Sequence, residues 1–314
     1  MGKYIIKRIG QALIVIFIVT VIVFSLMHFL PGDPIKLYLG DSATEDQIAY
    51  YTQIFGLDKP LYIQYFRWIT GLFHGEMGLS IVYHTEVSDL LLKRAICTIS
   101  VTIPAFIVSL IIGITLGVIT ATHRGKKLDS IITSISNFLI ATPTFWVGMI
   151  LVFVFALKLN WLPSQGYVSP IESPIGYIKN LIMPVTVLSL GYLASTVRQT
   201  RSSMLEVISQ DYIRTARAKG LTEKKITYRH ALRNALIPII TLLGNAVGML
   251  IGGTVVIENL FNIPGVGALM LTAISNKDYL VAQNITFVVA VVVVLCNLII
   301  DILYGYIDPR IRIE

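Results

Sequence analysis

The residues with the most distinctive types and spacing form a short basic segment, Asp211-Tyr-Ile-Arg-Thr-Ala-Arg-Ala-Lys-Gly-Leu221. Alanine, arginine and lysine are good helix formers, and Gly220 is placed to end a helix that we predict over 212–219. Thr222 and Glu223 can begin a second helix, at its N-cap and in its first turn. The chemistry available to such a segment is recognition by charge and shape, not the making or breaking of bonds.

One face of this predicted helix can hold a small apolar strip made of Tyr212, Ile213, Ala216 and Gly220. Arg214 and Arg217 flank the strip, an arrangement that suits a helix laid in a groove of a soluble partner. The alternative is a solvated basic loop with no partner, of the kind that the cytoplasmic side of membrane proteins often carries.

Catalytic chemistry has little support in the remaining sequence. The histidines are His28, His74, His84, His123 and His230. They show no His-Glu-x-x-His or other metal-ligand spacing, and no Gly-x-x-x-x-Gly-Lys-Ser/Thr nucleotide loop occurs in the chain. Cys97 and Cys296 are predicted to be small buried apolar side chains. We therefore expect a protein that is not an enzyme, holds no metal and binds no cofactor itself.

The composition places these residues in a membrane protein. Of 314 residues, 55% are hydrophobic and only 14% are charged, against about 25% charged in soluble domains. Six apolar runs reach the roughly 20 residues needed to cross a bilayer. These runs are 9–30, 98–122, 131–157, 181–200, 236–257 and 283–306. We predict an all-α polytopic protein with six transmembrane helices, the first of them retained because no signal-peptide cleavage site follows it.

The basic residues set the orientation of the helices. With both termini in the cytoplasm, the inner segments hold most of the 25 lysines and arginines, whereas the short outer loops hold only Lys158, Lys179 and Lys277. The net charge of +7 thus follows from membrane topology, and we exclude a nucleic-acid partner.

The longest outer segment, 31–97, has its own helix signals. Thr44-Glu-Asp-Gln47 has the form of a capping box, and Gly56 would end the helix that follows it. Pro60 suits the start of a second amphipathic helix, and Thr85 could cap a third, over 86–94. Two roles for this segment are open: it could form a docking surface for an external partner, or it could lie at the membrane interface as a collar without a partner.

Small residues recur inside two of the predicted spans. Gly244, Gly248 and Gly252 remove side chains from one face of the fifth span, and Gly113 and Gly117 do so in the second. Such faces permit close helix contact. For the fifth span, three alternatives are open: ordinary internal packing, packing against a partner subunit and the lining of a translocation path.

Asp301 is the only acid that lies clearly inside a predicted span. We expect it to have a structural role and to pair with Arg198, Arg310 or water.

Several longer motifs resemble one family of transport proteins. They are Phe29-Leu-Pro-Gly-Asp-Pro34, Trp161-Leu-Pro-Ser-Gln-Gly-Tyr167, Thr200-Arg-Ser-Ser-Met-Leu-Glu206, Gln210-Asp-Tyr-Ile-Arg-Thr-Ala-Arg-Ala-Lys-Gly-Leu221, His230-Ala-Leu-Arg-Asn-Ala-Leu-Ile-Pro238, Glu258-Asn-Leu-Phe-Asn-Ile-Pro-Gly-Val-Gly267 and Asp308-Pro-Arg-Ile-Arg312. In this order they resemble the permease subunits of binding-protein-dependent ABC importers of the dipeptide, oligopeptide and nickel class. The long outer segment resembles that of the B-type subunit.

The resemblance implies a type I ABC importer permease in a bacterial inner membrane. Its parts would be an N-terminal helix (1–30), an outer helical segment (31–97), a five-helix core (98–306) that includes a cytoplasmic coupling segment (201–235), and a tail (307–314). The implied partners are a second permease, two ATPases that bind ATP and Mg²⁺, and an extracytoplasmic binding protein.

By this resemblance, a coupling helix contacts an ATPase. Its residues would be Asp211, Tyr212, Ile213, Arg214, Thr215, Ala216, Arg217, Ala218, Lys219, Gly220 and Leu221. The broader family has Glu-Ala-Ala-x-x-x-Gly here, of which only Ala216 and Gly220 match, so the family's acidic contact is not carried over. Arg214 or Arg217 would contact an acidic groove instead.

The substrate implied first is a di- or oligopeptide, and the runner-up is nickel or a nickel chelate. Two other classes are weaker. A secondary transporter would show inverted repeats, and an intramembrane enzyme would need a nucleophile with a base or a metal site; we find neither pattern in the sequence.

Overall fold

The computed structural model describes residues 2–29, 34–39 and 43–307. Within these ranges the regular structure is helical, and the only β pairing is one isolated bridge between Leu79 and Glu86. The helices are α1 (Gly2–Phe29), α2 (Pro34–Leu39), α3 (Glu45–Phe55), α4 (Leu61–His74), α5 (Val87–Thr122), α6 (Lys127–Ala141), α7 (Thr144–Leu151), α8 (Pro174–Ile208), α9 (Asp211–Ala218), α10 (Glu223–Lys225), α11 (Leu232–Leu260), α12 (Val266–Ser275) and α13 (Tyr279–Ile307). Two π-helical stretches, Val152–Lys158 and Ile226–Ala231, continue α7 and α10.

The predicted all-α membrane architecture is confirmed. By length and composition, α1, α5, α8 and the Tyr279–Ile302 part of α13 can each cross a bilayer. The bent pair of α6 with α7 and its π-helical continuation is apolar enough for a broken span or a re-entrant loop. The fifth predicted span, 236–257, lies within α11. The division into parts at 30, 97 and 306 stays a prediction.

The third predicted span, 131–157, is not one straight helix. It breaks between Ala141 and Thr144, where the axes of α6 and α7 differ by 102°. Pro143 explains the break, because proline lacks the N–H that would continue the helix and disfavours helical geometry in the residue before it. Thr142 is accordingly extended, with ψ of 129°. Hydropathy alone cannot detect this bend.

The outer segment forms its three predicted helices. Thr44 makes the predicted capping box with Gln47, and Gly56 ends α3 in the left-handed conformation with φ of 68°. The third helix is present as the first turns of α5, which begins at Val87 and runs without interruption into the second span, but the predicted Thr85 cap is wrong because Glu86 is the N-cap. The outer segment therefore ends as an extension of a transmembrane helix.

The most extensive helix pair is α5 with α8. Gly113 of α5 lies so close to Thr196 that an added Cβ would be 2.7 Å from the Thr196 Cβ, and a Cβ on Gly117 would overlap Thr200. Because lipid offers no hydrophobic drive for helix association, this close backbone approach supplies the contact area that holds the pair together.

Three buried apolar clusters surround this pair. The first joins α5, α8 and α11 with the π turn after α7, and the second lies at the cytoplasmic ends of α5, α8 and α11. The third lies on the outer side, between the start of α5, α12 and the start of α13.

A larger residue at Gly117 should loosen the bundle. Gly117→Ala would drive its methyl group into Thr200 and bring it within 3.0 Å of the Val197 carbonyl oxygen, at a cost of about 1–3 kcal/mol. We expect the purified variant to lose its folded, monodisperse form in detergent at a lower temperature than the wild type.

The matched control is Gly252→Ala, because nothing lies within 4 Å of a Cβ built there. Adding Thr200→Gly to Gly117→Ala should restore part of the lost stability. Equal melting of Gly117→Ala and Gly252→Ala would contradict the close α5–α8 contact.

Candidate coupling site and the clusters that position it

The segment 211–221 forms the predicted helix, α9, and the predicted turn. Gly220 has φ of 76°, a left-handed conformation that glycine adopts without strain. The N–H of Leu221 donates to the Ala216 carbonyl at 3.3 Å, and that of Gly220 donates to the Arg217 carbonyl at 2.9 Å. These two bonds form a Schellman motif. The glycine thus ends α9 and reverses the chain toward α10.

The apolar side of α9 packs against this chain itself. Ile213 is completely buried and Ala216 is buried. They belong to a cluster, here called the cytoplasmic core, whose other buried members are Val118, Ala121, Met204, Ile226, Ala231 and Ala235. The expectation that an apolar strip would face a partner is therefore wrong for Ile213 and Ala216. Their burial connects α9 to the cytoplasmic ends of α5, α8 and α11.

Tyr212 does not join this buried face. Its side chain is 44% exposed, and its hydroxyl accepts a hydrogen bond from the Asn234 Nδ2 at 2.8 Å. This side-chain hydrogen bond connects α9 to the first turn of α11.

The outward side of α9 is polar and basic. Arg214 and Asp211 lie 3.5 Å apart, with side chains 75% and 95% exposed, so their mutual attraction is weak. Arg217 forms two hydrogen bonds to Glu223, and these lower the pKa of the Glu223 carboxyl from its usual value. Because Glu223 offsets the charge of Arg217, Arg214 and the exposed Lys219 are the groups on α9 best placed to meet an acidic partner.

The glycines of the fifth span have looser surroundings than those of the second. A Cβ on Gly248 would meet Val293 of α13 at an ordinary 3.8 Å, and one on Gly252 would meet nothing within 4 Å. The surroundings of Gly244 lie outside what the structure describes. A role of these three positions in a translocation path stays a prediction.

A charged pair that we did not predict joins α6 to α8. The Arg201 Nε and Nη2 donate to the two carboxylate oxygens of Asp129 at 2.8 and 2.9 Å. The Gly125 N–H and the Thr133 hydroxyl also donate to this buried carboxylate. Asp129 lies two residues before the third predicted span, and Arg201 lies one residue after the fourth predicted span. Their positions at the ends of spans are the only signal of the pair in the sequence.

A second unpredicted cluster, here called the Glu258 cluster, lies on the outer side. Glu258 is completely buried, accepts a hydrogen bond from the Thr98 hydroxyl at 2.6 Å and another from the Ala268 N–H at 2.8 Å. Thr98 also accepts the Val266 N–H at 2.8 Å. A Cβ at Gly265 would overlap the Glu258 carboxylate. The cluster satisfies N–H groups in the first turn of α12 and joins α12 to α5 and α11.

Asp301 has a structural role, but its partner differs from those expected. It forms an ion pair with Arg8 of α1 at 3.0 Å, and the Tyr4 hydroxyl donates to its carbonyl oxygen. Arg198 takes no part in this pair, and Arg310 lies outside the described residues. The first and last spans are thus joined near their cytoplasmic ends.

The outer segment is attached to the start of α13. Asn284 accepts a hydrogen bond from the Trp68 indole and donates to the Met77 carbonyl, and the buried Asp278 accepts from the Ser80 hydroxyl at 2.6 Å. Thr20 of α1 adds a hydroxyl contact to the segment. These contacts hold the segment against the bundle without excluding a docked partner.

Neither cysteine is in a disulfide: Cys97 is buried and Cys296 is partly buried. Among residues 2–29, 34–39 and 43–307, no three His, Cys, Asp or Glu side chains are grouped so that they could hold a metal ion.

Breaking the Asp129–Arg201 pair should destabilise the bundle. Asp129→Asn would leave Arg201, whose side chain is only 29% exposed, without its charge partner, at a cost of about 1–3 kcal/mol because the site is partly open to solvent. Thermal unfolding of the purified protein measures the loss.

Arg217→Gln is the control, since it removes an exposed pair and should change stability by less than about 1 kcal/mol. The exchange Asp129→Arg with Arg201→Asp should recover part of the stability lost in either single exchange. A neutral effect of Asp129→Asn would contradict the role given to the pair.

Comparison with known proteins agrees with the architecture and the motifs. Residues 113–313 match the family described as the binding-protein-dependent transport system inner membrane component, and residues 1–102 match the N-terminal membrane component of the same systems. A putative peptide transport system permease protein of Brucella abortus is 39% identical over the full length of both chains. The oligopeptide transport system permease protein of Bacillus subtilis is 39% identical over 99% of this chain and its own full length. A glutathione transport system permease protein of Escherichia coli is 38% identical over 99% of each chain.

The match extends from the first transmembrane helix through residues 201–235 to the last span. This chain therefore belongs to the family of inner-membrane components of binding-protein-dependent transport systems, as a multi-pass permease subunit of an ABC importer and not a catalytic enzyme.

Proposed function

We propose that this chain is one of two permease subunits through which an ATP-driven importer carries di- and oligopeptides. The observation that carries the proposal is the full-length identity of 39% to permeases named for peptide and oligopeptide transport. The glutathione permease supports the same class, because glutathione is itself a tripeptide. Nickel or nickel-chelate import by the same architecture is less favoured, since these relatives are named for peptides.

The partners follow from the name of the family. A binding-protein-dependent system implies an extracytoplasmic protein that delivers the peptide to the outer side of the two permeases. Two ATPase subunits would bind ATP with Mg²⁺ on the cytoplasmic side, while this chain binds no cofactor.

The proposed path of coupling starts at the exposed basic side of α9. An acidic groove of an ATPase would receive Arg214 and Lys219, and its movement on closure would displace α9. Because Ile213 and Ala216 are buried in the cytoplasmic core, displacement of α9 would also move the cytoplasmic ends of α5, α8 and α11. The buried apolar face thus transmits the movement, and the polar face receives it.

Purification of the tagged chain from its native membrane in mild detergent, followed by native mass spectrometry, tests the assembly. We expect a complex with one second permease and two ATPases. Uptake by reconstituted vesicles that hold this complex and its binding protein tests the substrate, with di- and tripeptides expected to enter only with ATP. Uptake that persists without ATP, or recovery of the chain alone, would favour a secondary transporter.

Gly220→Val should abolish transport and leave membrane insertion intact. The space around Gly220 is open, with nothing within 4 Å of an added Cβ, so the effect would come from the left-handed backbone at φ of 76°. A β-branched residue strongly disfavours this conformation, whereas asparagine tolerates it.

Gly220→Asn is therefore the matched control and should keep most of the transport. ATP-dependent uptake, normalised to the amount of permease in the membrane, is the measurement. Normal uptake by Gly220→Val would contradict the assignment of α9 and its turn as the coupling element.

A further inference from the structure

We propose that a cleft between α6 and α8 binds the carboxylate of a peptide as it enters the cytoplasm, with Arg198 as the residue that pairs with it. The inference deepens the proposed function, on which it rests for the identity of the cargo. The site is distinct from α9, and nothing in the comparisons assigns a role to it.

The cleft consists of two adjoining cavities of about 460 and 360 Å³ that share Thr133 and Arg201. The first opens among residues at the start of α6 and includes Lys126 and Lys127. The second lies deeper along the two helices, where Asn137 of α6 lies opposite Arg198 of α8. At 1.5 Å per residue, Asn137 is about 12 Å along α6 from Asp129, so the cleft extends along the helix by about this length.

Polar groups of both helices line the cleft beside the apolar side chains of Val197 and Leu205. On α6, Thr133 and Asn137 are four residues apart and share one side of the helix, and on α8 Arg198 and Ser202 do the same. Polar side chains inside a membrane protein are costly unless they face water, a partner or a solute. The polar groups of the two helices thus form a polar strip in the cleft that can meet water or a solute.

The described residues that line the cleft are more basic than acidic: Lys126 and Lys127 lie at its opening and Arg198 lies in the deeper cavity. Asp129 is the only acid among them, and it is already paired with Arg201. Asp301, one of whose expected partners was Arg198, is paired with Arg8 instead. Arg198 is exposed to the cleft and forms no ion pair within the described part of the chain.

A carboxylate is the anion that these groups fit best. A guanidinium binds a carboxylate through two parallel hydrogen bonds, and the Asn137 amide and Ser202 hydroxyl can add further donors. Every peptide with a free C-terminus carries this group. A cavity of about 360 Å³ accepts the end of a peptide and is too small for a helix of a protein partner.

The first experiment measures the charge and occupancy of the cleft without relying on transport. Ser202 is exposed in the cleft, so Ser202→Cys gives a reporter thiol once Cys97→Ala and Cys296→Ala have removed the native thiols. In the complete nucleotide-free complex, the rates of reaction with an anionic and a cationic thiosulfonate are compared. We expect the preference for the anionic reagent to fall about tenfold in Arg198→Gln, the size of a charge-assisted hydrogen bond, and to persist in Arg198→Lys.

Arg124→Gln is the matched control, because it removes one exposed arginine from the same side of the membrane and outside the cleft. It should leave the preference unchanged. Trialanine should slow labelling of the reporter in the wild-type background and not in Arg198→Gln, whereas trialanine amide should protect in neither. Equal protection by the two peptides, or protection that survives Arg198→Gln, would overturn the proposal.

Two further measurements distinguish a peptide carboxylate from a lipid headgroup in the cleft, and failure of this proposal from failure of the proposed function. In phosphatidylcholine vesicles, trialanine should still protect the reporter thiol from labelling. If added phosphatidylglycerol alone protects the thiol, a lipid headgroup occupies the cleft and the proposal is overturned. Uptake of trialanine should fall about tenfold in Arg198→Gln, with uptake of its amide unchanged. If no peptide is taken up by the wild type while protection persists, the proposed function fails and the carboxylate site stands.

Discussion

The close contact between α5 and α8 is the constraint on which the rest of the bundle depends. Lipid surrounds the helices with atoms as apolar as their own side chains, so association requires packing and polar contacts instead of hydrophobic burial. Gly113 and Gly117 provide that packing against two threonines of α8. Both helices then carry the polar groups that arrange the others: Thr98 on α5 and Arg201 on α8. A change in the distance between α5 and α8 would therefore displace every cluster at either end.

The buried clusters join the same helices at both sides of the membrane. On the outer side, the Glu258 cluster connects α11 to α5 through Thr98. On the inner side, the cytoplasmic core connects α11, α5 and α8 around Ile213. A helix that is attached at both ends to its neighbours moves with them, so the proposed displacement of α9 would reach the outer side as a movement of the group. On the outer side, buried hydrogen bonds fix the position of α12 relative to α5 and α11. On the inner side, apolar packing attaches α9 to the ends of the three helices, so these ends would follow α9 if it were displaced.

The sequence predicted the helices and their ends better than the contacts between them. Hydropathy located the spans, and local chemistry correctly predicted the Thr44 capping box and the Gly220 turn, because these features depend on residues near one another in the chain. The bend at Pro143 was missed because an apolar run has the same hydropathy whether straight or broken. The Asp129–Arg201 pair joins residues 72 apart, and Arg8–Asp301 joins the first span to the last. Periodicity cannot choose such partners. Ile213 and Ala216 do share the apolar face predicted for α9, whereas Tyr212 does not. Such a face has the same sequence pattern whether it meets a partner or the protein's own core.

On the cytoplasmic side, some charged side chains are held in ion pairs within the protein, whereas others are available to bind a partner or a solute. Arg8 with Asp301 and Arg201 with Asp129 each join two membrane helices and have solvent exposure of about a third or less. Arg217 with Glu223 fixes the turn after α9. Two of the arginines outside these three pairs lie in different settings: Arg214 is on the solvent-facing side of α9, where it pairs only weakly with Asp211, and Arg198 lines the cleft. An exposed cation on a short helix can pair with a large partner, whereas a cation in a cleft between two helices can pair with a small anion. The basic excess that orients the helices in the membrane thus also supplies the charge that we propose for the ATPase contact and the charge that we propose for the peptide carboxylate.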